Sequence, residues 1–250
     1  MIANMDHEQA WKTVDGFVDT CKEQYARNVV AIILTGSLAG GSYQPGLSDV
    51  DLLTVLGDRS PDRVRDSISS LCRRMSSDYS TQLDPIILEH SDFWPPWNDS
   101  LCIQPELLRL KAGARVLYGQ NIVEHLPTPT KRQMWEFDRS FREWLTQSNQ
   151  PNWRYWSLKE SLKTIFGQAM TYFYYKTGIA EYSKHHIADL FSRHFPHFCH
   201  LSTLSFASYL WKHYPGSTDE GLRIQMAEQA RDVHNYVTLA LGFGEKYLIQ

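Results

Sequence analysis

Apolar positions along the first half of the chain alternate between two periods. Over 9–26, Trp11, Val14, Val18, Cys21 and Tyr25 recur at three- and four-residue steps, which predicts a helix with one buried face. Val29-Val30-Ala31-Ile32-Ile33-Leu34 is an unbroken, β-branched run and predicts a buried strand. A second strand is expected over 49–56. Ser60-Pro61 then reads as an N-cap with proline at the first helical position, followed by Val64, Ile68, Leu71, Cys72 and Met75 at helical spacing. A third strand is expected over 83–89, and 114–119 reads as a short closing strand and turn. The second half keeps the helical period almost throughout. Phe137, Phe141, Trp144 and Leu145 share one face; Leu158, Leu162, Ile165, Phe166, Ala169 and Phe173 share another; Ile187, Leu190 and Phe191 a third. Segments 201–211 and 222–241 continue the pattern, and the run Tyr172-Phe173-Tyr174-Tyr175 reads as helix core rather than a ligand cage. The fold class expected is an α+β domain, a mixed sheet with helices, over 1–126, followed by an all-α helical bundle over 127–250.

Composition narrows the class. The chain has 250 residues, 42% of them hydrophobic and 13% aromatic, with a net charge of −3, which excludes a disordered or fibrous protein. No window approaches the roughly 18 apolar residues of a membrane span, and Asp6 and Glu8 sit where a secretory signal would be basic and then apolar, so a cytoplasmic protein is expected. Cys21, Cys72, Cys102 and Cys199 show no paired spacing and read as reduced thiols. The near-neutral charge argues against a protein built to wrap duplex nucleic acid. That charge is unevenly spread. Before the cluster Leu126-Pro127-Thr128-Pro129-Thr130 there are 17 acidic and 11 basic residues, and after it 11 acidic and 14 basic, so an acidic half of about −6 precedes a mildly basic one of about +3.

The chemistry concentrates in Thr35-Gly36-Ser37-Leu38-Ala39-Gly40-Gly41-Ser42-Tyr43-Gln44-Pro45-Gly46-Leu47-Ser48-Asp49-Val50-Asp51. A strand runs into Gly-Ser, a glycine-rich turn follows, and the chain re-enters a strand carrying two aspartates one residue apart. Strand side chains alternate, so Asp49 and Asp51 share a face, and two such carboxylates repel unless a cation lies between them. Magnesium suits this donor set because it takes carboxylate oxygens and completes its shell with water and phosphate. The Gly36-Ser37 turn can approach a phosphate with backbone N–H groups and a hydroxyl. The βαβ unit 49–89 predicts parallel second and third strands, which brings Asp84 beside the pair. Glu89 lies about 16 Å further along at roughly 3.3 Å per residue, and on the other face. The short link from Leu34 to Asp49 makes the first two strands antiparallel, which puts Gly36-Ser37 at the same edge.

These residues resemble the polymerase-β-type nucleotidyltransferase superfamily: Gly36-Ser37, then Ser48-Asp49-Val50-Asp51, then an acid opening a later strand, Asp84. Within it the chain is similar to the aminoglycoside (streptomycin/spectinomycin-type) adenylyltransferases, through Gly-Ser-Leu-Ala before Pro-Gly-Leu-Ser-Asp-Val-Asp, Leu83-Asp84 running to His90, and Pro96-Trp97. Val116-Leu117-Tyr118-Gly119 resembles the end of their catalytic domain, and Thr177-Gly178 with Ser183-Lys184 a motif of their helical one. Pro85 after the third aspartate departs from the pattern and points to a sheet edge or strand start. The resemblance implies that Asp49 and Asp51 hold two magnesium ions on ATP and that Gly36, Ser37 and Ser48 line the nucleotide site. It further implies that Asp84 contacts one metal and acts as general base on an acceptor hydroxyl. Lys184 matches the family's triphosphate-contacting lysine, on a helical domain that closes over the nucleotide.

Other readings stand beside this one. Lys184 reads equally as a solvated residue, and Trp94 and Trp97 either stack on a ligand ring or pack their loop. His194, His197 and His200 read as aromatic-rich core rather than zinc ligands, because proline interrupts them. The function expected is Mg²⁺-dependent transfer of AMP from ATP to a hydroxyl of a small, aminoglycoside-like acceptor. The alternative is a nucleotidyltransferase that modifies or masks a partner protein, as those of toxin–antitoxin pairs do, and the third a nucleotide-binding protein with little catalysis. Glu136, Asp138, Glu143, Glu160 and Glu181 are all available to a cationic acceptor.

Overall fold

The computed structural model describes residues 7–45, 47–79, 82–94, 103–147, 153–213, 218–244 and 246. The chain divides into two compact units, Met1–Pro129 and Thr130–Gln250.

In the first unit, helix α1 (His7–Tyr25) leads into β1 (Val29–Thr35), a short helix α2 (Gly36–Ala39), β2 (Val50–Leu56), helix α3 (Asp62–Tyr79), β3 (Leu83–Glu89), helix α4 (Ile103–Gly113) and β4 (Arg115–Gly119). The four strands form one sheet in the order β3-β2-β1-β4. β1 pairs antiparallel with β2 and with β4, while β2 and β3 run parallel, as expected of strands joined by a helical crossover. Pro85 lies in β3, an edge strand with β2 as its single sheet neighbour, so its missing N–H costs no ladder bond on the outer side.

The unbroken apolar runs of β1 and β2 follow from burial on both faces. Even-numbered Ile32, Leu34, Val50, Leu52 and Leu56 pack with Val14, Phe17, Cys21, Ile68 and Cys72 of α1 and α3. Odd-numbered Ala31, Ile33, Leu53 and Val55 pack on the opposite face with Leu88, Phe93, Leu107, Leu110, Ile122 and Leu126. α1 and α3 thus cover one face and α4 with the segment after β4 the other. The helical stripes read from the sequence are the buried ones: Val14, Val18 and Cys21, then Val64, Ile68, Leu71, Cys72 and Met75, are all core residues. Burial raises the Cys21 and Cys72 thiols to about 12, which keeps both protonated.

The second unit consists, among its described residues, of helices and connecting turns: α5 (Lys131–Gln147), α6 (Leu158–Thr177), α7 (Ile187–His194), α8 (Leu201–His213) and α9 (Glu220–Ala240). α6 buries Leu158, Leu162, Ile165, Phe166, Ala169 and Phe173, and α9 buries Met226, Ala227, Ala230, Val233 and Val237. The side chains of Phe141, Trp144 and Leu145 lie outside the described ones. Tyr172 and Phe173 join Phe191, Phe195 and Phe198 in one aromatic cluster, with ring centroids 4.7–6.0 Å apart in the pairs Tyr172–Phe191, Tyr172–Phe198, Phe173–Phe195 and Phe191–Phe198. His194 and His200 stand against Phe173 and Tyr236, edge-on, in the same cluster. No helix among the described residues is long and apolar enough to cross a membrane.

α6 opens on a reciprocal cap: the Ser157 hydroxyl accepts from Glu160 N–H at 3.1 Å and Glu160 Oε2 accepts from Ser157 N–H at 2.7 Å. Ser157→Ala is expected to cost about 1 kcal/mol, lowering the melting temperature by roughly 2–4 °C in a thermal melt with no change in activity.

Candidate active site

Strand parity sets the site. Asp51 is odd-numbered in β2 and so projects from the α4 face, and Asp49 one residue before the strand shares that parity. In the parallel register Asp51 pairs with Asp84, so two carboxylates stand side by side at the strands' starting end. The Val50 N–H donates to the Gln82 carbonyl at 2.9 Å and ties those ends together. Glu89 pairs with Leu56 at the far end of the same two strands, where Arg65 lies 3.7 Å from it, and takes no part. Asp49 is 9% exposed, Asp51 half-buried and Asp84 exposed, so the cluster grades from interior to solvent.

Thr35, the last residue of β1, pairs with Asp51, and this brings Gly36 against the same carboxylate. Gly36 has a φ of +69°, and a Cβ there would overlap Asp51 Oδ2 and lie 2.7 Å from Cγ. Glycine is therefore required twice, for the left-handed backbone and for the close approach. The glycine-rich turn expected here is instead a single helical turn, α2, because Leu38 and Ala39 pull it into the core above α1 and α3. Ser37 is buried within it, and its carbonyl accepts from Ser42 N–H at 2.8 Å. The Ser48 hydroxyl accepts from Gln44 N–H at 2.9 Å and closes the loop just ahead of Asp49. Gly46 lies outside the described residues.

Three residues at this site carried no signal that the sequence reading used. Tyr43 is buried against His7 with its hydroxyl unpartnered, and burial, then the Asp49 charge, raises its pKa. Glu106 and Arg109 enter from α4, a helix not expected from the sequence. The Arg109 guanidinium lies 3.2 Å from Glu106 Oε2 and 3.8 Å from Asp51 Oδ2. Burial raises the Glu106 carboxyl; Arg109 opposes that shift and the Asp51 charge adds to it. The available clue was the opposite-charge pair three residues apart, interleaved with Leu107, Leu108 and Leu110.

Lys184 lies in the second unit, where its ammonium stands 4.2 Å from the centroid of the Trp211 ring. Of the carboxylates considered for a cationic acceptor, Glu136 pairs with Arg132, Glu160 serves the α6 cap, Glu181 accepts from Ser183 N–H, and Asp138 accepts from Tyr175 O–H at 2.7 Å. Trp94 lies near His90, 6.1 Å between centroids, while Pro96-Trp97 and Cys102 lie outside the described residues.

The donor set fits magnesium. Among the described residues no group of three Asp, Glu, His or Cys side chains is placed to hold a metal ion by itself. Magnesium at nucleotide sites does not need one, since it takes one or two carboxylates and fills its octahedron with phosphate oxygens and water. Asp49, Asp51 and Asp84 are hard oxygen donors converging on one strand end that opens to solvent at Asp84, which suits an ion arriving with its nucleotide.

Residues 14–97 match the family model of the nucleotidyltransferase domain. A Methanocaldococcus jannaschii protein that bears the name of a protein adenylyltransferase is 28% identical in an alignment 151 positions long that covers 56% of this chain and 96% of that protein. The solved structure of spectinomycin adenyltransferase AAD(9) from Enterococcus faecalis, with ATP and spectinomycin, superposes at a TM-score of 0.63. That alignment covers 90% of this chain and 99% of the other at 13% identity, a likeness of fold.

Proposed function

We propose, from the match of residues 14–97 to the nucleotidyltransferase domain, that the chain moves AMP from ATP to a hydroxyl of a small cationic acceptor of the aminoglycoside class. The observation that carries the reaction is the pairing of Asp51 with Asp84 next to Gly36 and Asp49. In this reading Asp49, Asp51 and Asp84 hold magnesium, which when bound neutralises the triphosphate charge and makes the α-phosphorus a better electrophile. Gly36 lets the backbone come close to the nucleotide, the Ser37 hydroxyl contacts its phosphates, and Ser48 keeps the loop closed through Gln44. Asp84, the exposed member of the cluster, accepts the proton of the acceptor hydroxyl. The oxygen then attacks the α-phosphorus in line as the bond to pyrophosphate breaks. Lys184 is assigned to the outer phosphates by its motif alone.

The small-molecule acceptor is favoured by the helical unit, since the likeness to AAD(9) extends over nearly all of that protein's length. A protein acceptor is the second reading, supported by the name of the M. jannaschii relative, whose likeness extends over 56% of this chain. One assay separates them. Purified protein with Mg²⁺ and α-³²P-ATP is expected to release pyrophosphate and label spectinomycin, streptomycin or another member of an aminoglycoside panel. Label on a tyrosine, serine or threonine of a protein, with none on the panel, overturns the small-molecule reading in favour of the second.

A further inference from the structure

α4 brings a cation and a further carboxylate to the aspartate cluster. Arg109 lies between two acids, with Nη1 donating to Glu106 Oε2 at 3.2 Å and Nη2 3.8 Å from Asp51 Oδ2. The side chains of Arg109, Asp51 and Glu106 are 32%, 21% and 14% exposed, so water screens this chain of charges far less than a surface pair. Glu106 Oε1 is buried with no hydrogen-bond partner, a cost that a purely structural surface pair would not carry. Leu107 and Leu110 on the same helix are locked into the core behind β1 and β2, so Arg109 is carried on a fixed element.

We propose that Arg109, anchored by Glu106, is a built-in counter-cation of Asp51 that a divalent metal has to displace, so that this positioning pair sets how tightly the carboxylate end takes metal. The proposal rests on the reading of Asp51 as a metal-holding residue and adds two residues to it. A fixed positive charge about 4 Å from a ligand oxygen opposes an arriving dication, whereas the carboxylate behind it attracts one. The two residues therefore have opposite signs of effect, although they form one ion pair.

Mn²⁺ titration of the full chain without nucleotide, with the free ion read by electron paramagnetic resonance, tests this. Arg109→Gln is expected to bind Mn²⁺ about tenfold more tightly than wild type, since the competing cation is gone and Glu106 remains. Glu106→Gln is expected to bind about tenfold more weakly, since Arg109 is then left to Asp51 alone. The double variant is expected to return to within about threefold of wild type, because both charges are removed together. Arg109→Lys keeps the charge and is expected to stay within about threefold as well, which guards against a variant that fails to fold. Unchanged affinity in both single variants, a shift of both in one direction, or a larger loss in Arg109→Lys overturns the proposal. If Asp51→Asn still abolishes Mn²⁺ binding in that case, the functional reading stands without this addition. Wild-type protein that binds no Mn²⁺ without nucleotide overturns this proposal, while the functional reading, in which the ion arrives with ATP, is decided by the transfer assay above.

Discussion

Asp84→Asn is expected to lower the rate of AMP transfer by about 10²–10⁴-fold, the usual worth of a positioned general base. Asparagine keeps the shape and cannot take the proton of the acceptor hydroxyl. The position makes the substitution diagnostic. Asp84 is exposed at the start of an edge strand, opposite Asp51 in the parallel register, and its removal breaks no core contact. The melting temperature is therefore expected to stay within about a degree of wild type, as for most surface substitutions. Nucleotide affinity is expected to change by less than about tenfold, because Asp49 and Asp51 remain. Pyrophosphate release measured alongside calorimetric ATP binding separates these effects, and turnover at the wild-type rate would remove Asp84 from the chemistry. Pro85 strengthens the expectation, since the residue before a proline is held extended and Asp84 keeps its place in the strand opposite Asp51.

Gly36→Ala is expected to reduce activity about 100-fold or more while lowering stability by only about 1–2 kcal/mol, the cost of placing an L-residue in the left-handed region. Backbone strain at φ +69° accounts for the stability loss. The larger effect on rate comes from the added methyl, which would occupy the space of Asp51 Oδ2. The carboxylate has to rotate or β2 has to move, and a shift of about 1 Å in a positioning group is enough for a loss of this size. Comparing kcat with the thermal melt of the same preparation checks the separation. Activity within about threefold of wild type would show that Asp51 does not need that approach.

How these residues come together was partly legible beforehand. The period-two alternation put Asp49 and Asp51 on one face, and the crossover rule brought Asp84 to their side, because both depend on backbone geometry shared by all strands and βαβ units. The paired register of Asp51 with Asp84 and of Thr35 with Asp51 matches that expectation. The helical stripe from Val64 to Met75 was equally legible, since burial repeats every three or four residues along one face. α4 was not: its charged pair sits inside a leucine-rich stretch after a proline- and tryptophan-rich segment, and no period marks which face meets the sheet. The glycine-rich segment read as a turn because glycine signals flexibility locally, whereas burial of Leu38 and Ala39 folds it into a helical turn.

Sequence alone determined the order of the four strands and of helices α1 and α3 in the first unit, the helical character of the second, and the placing of Asp51 beside Asp84 at one strand end. Each of these follows from rules that act over a few residues or one crossover. Only the tertiary structure decided that Gly36 abuts Asp51, that Tyr43 is buried against His7, and that Arg109 stands between Asp51 and Glu106. Those contacts join residues from different elements whose separation along the chain has no period. They are set by how α2 and α4 pack on the sheet, and packing is a property of the assembled core.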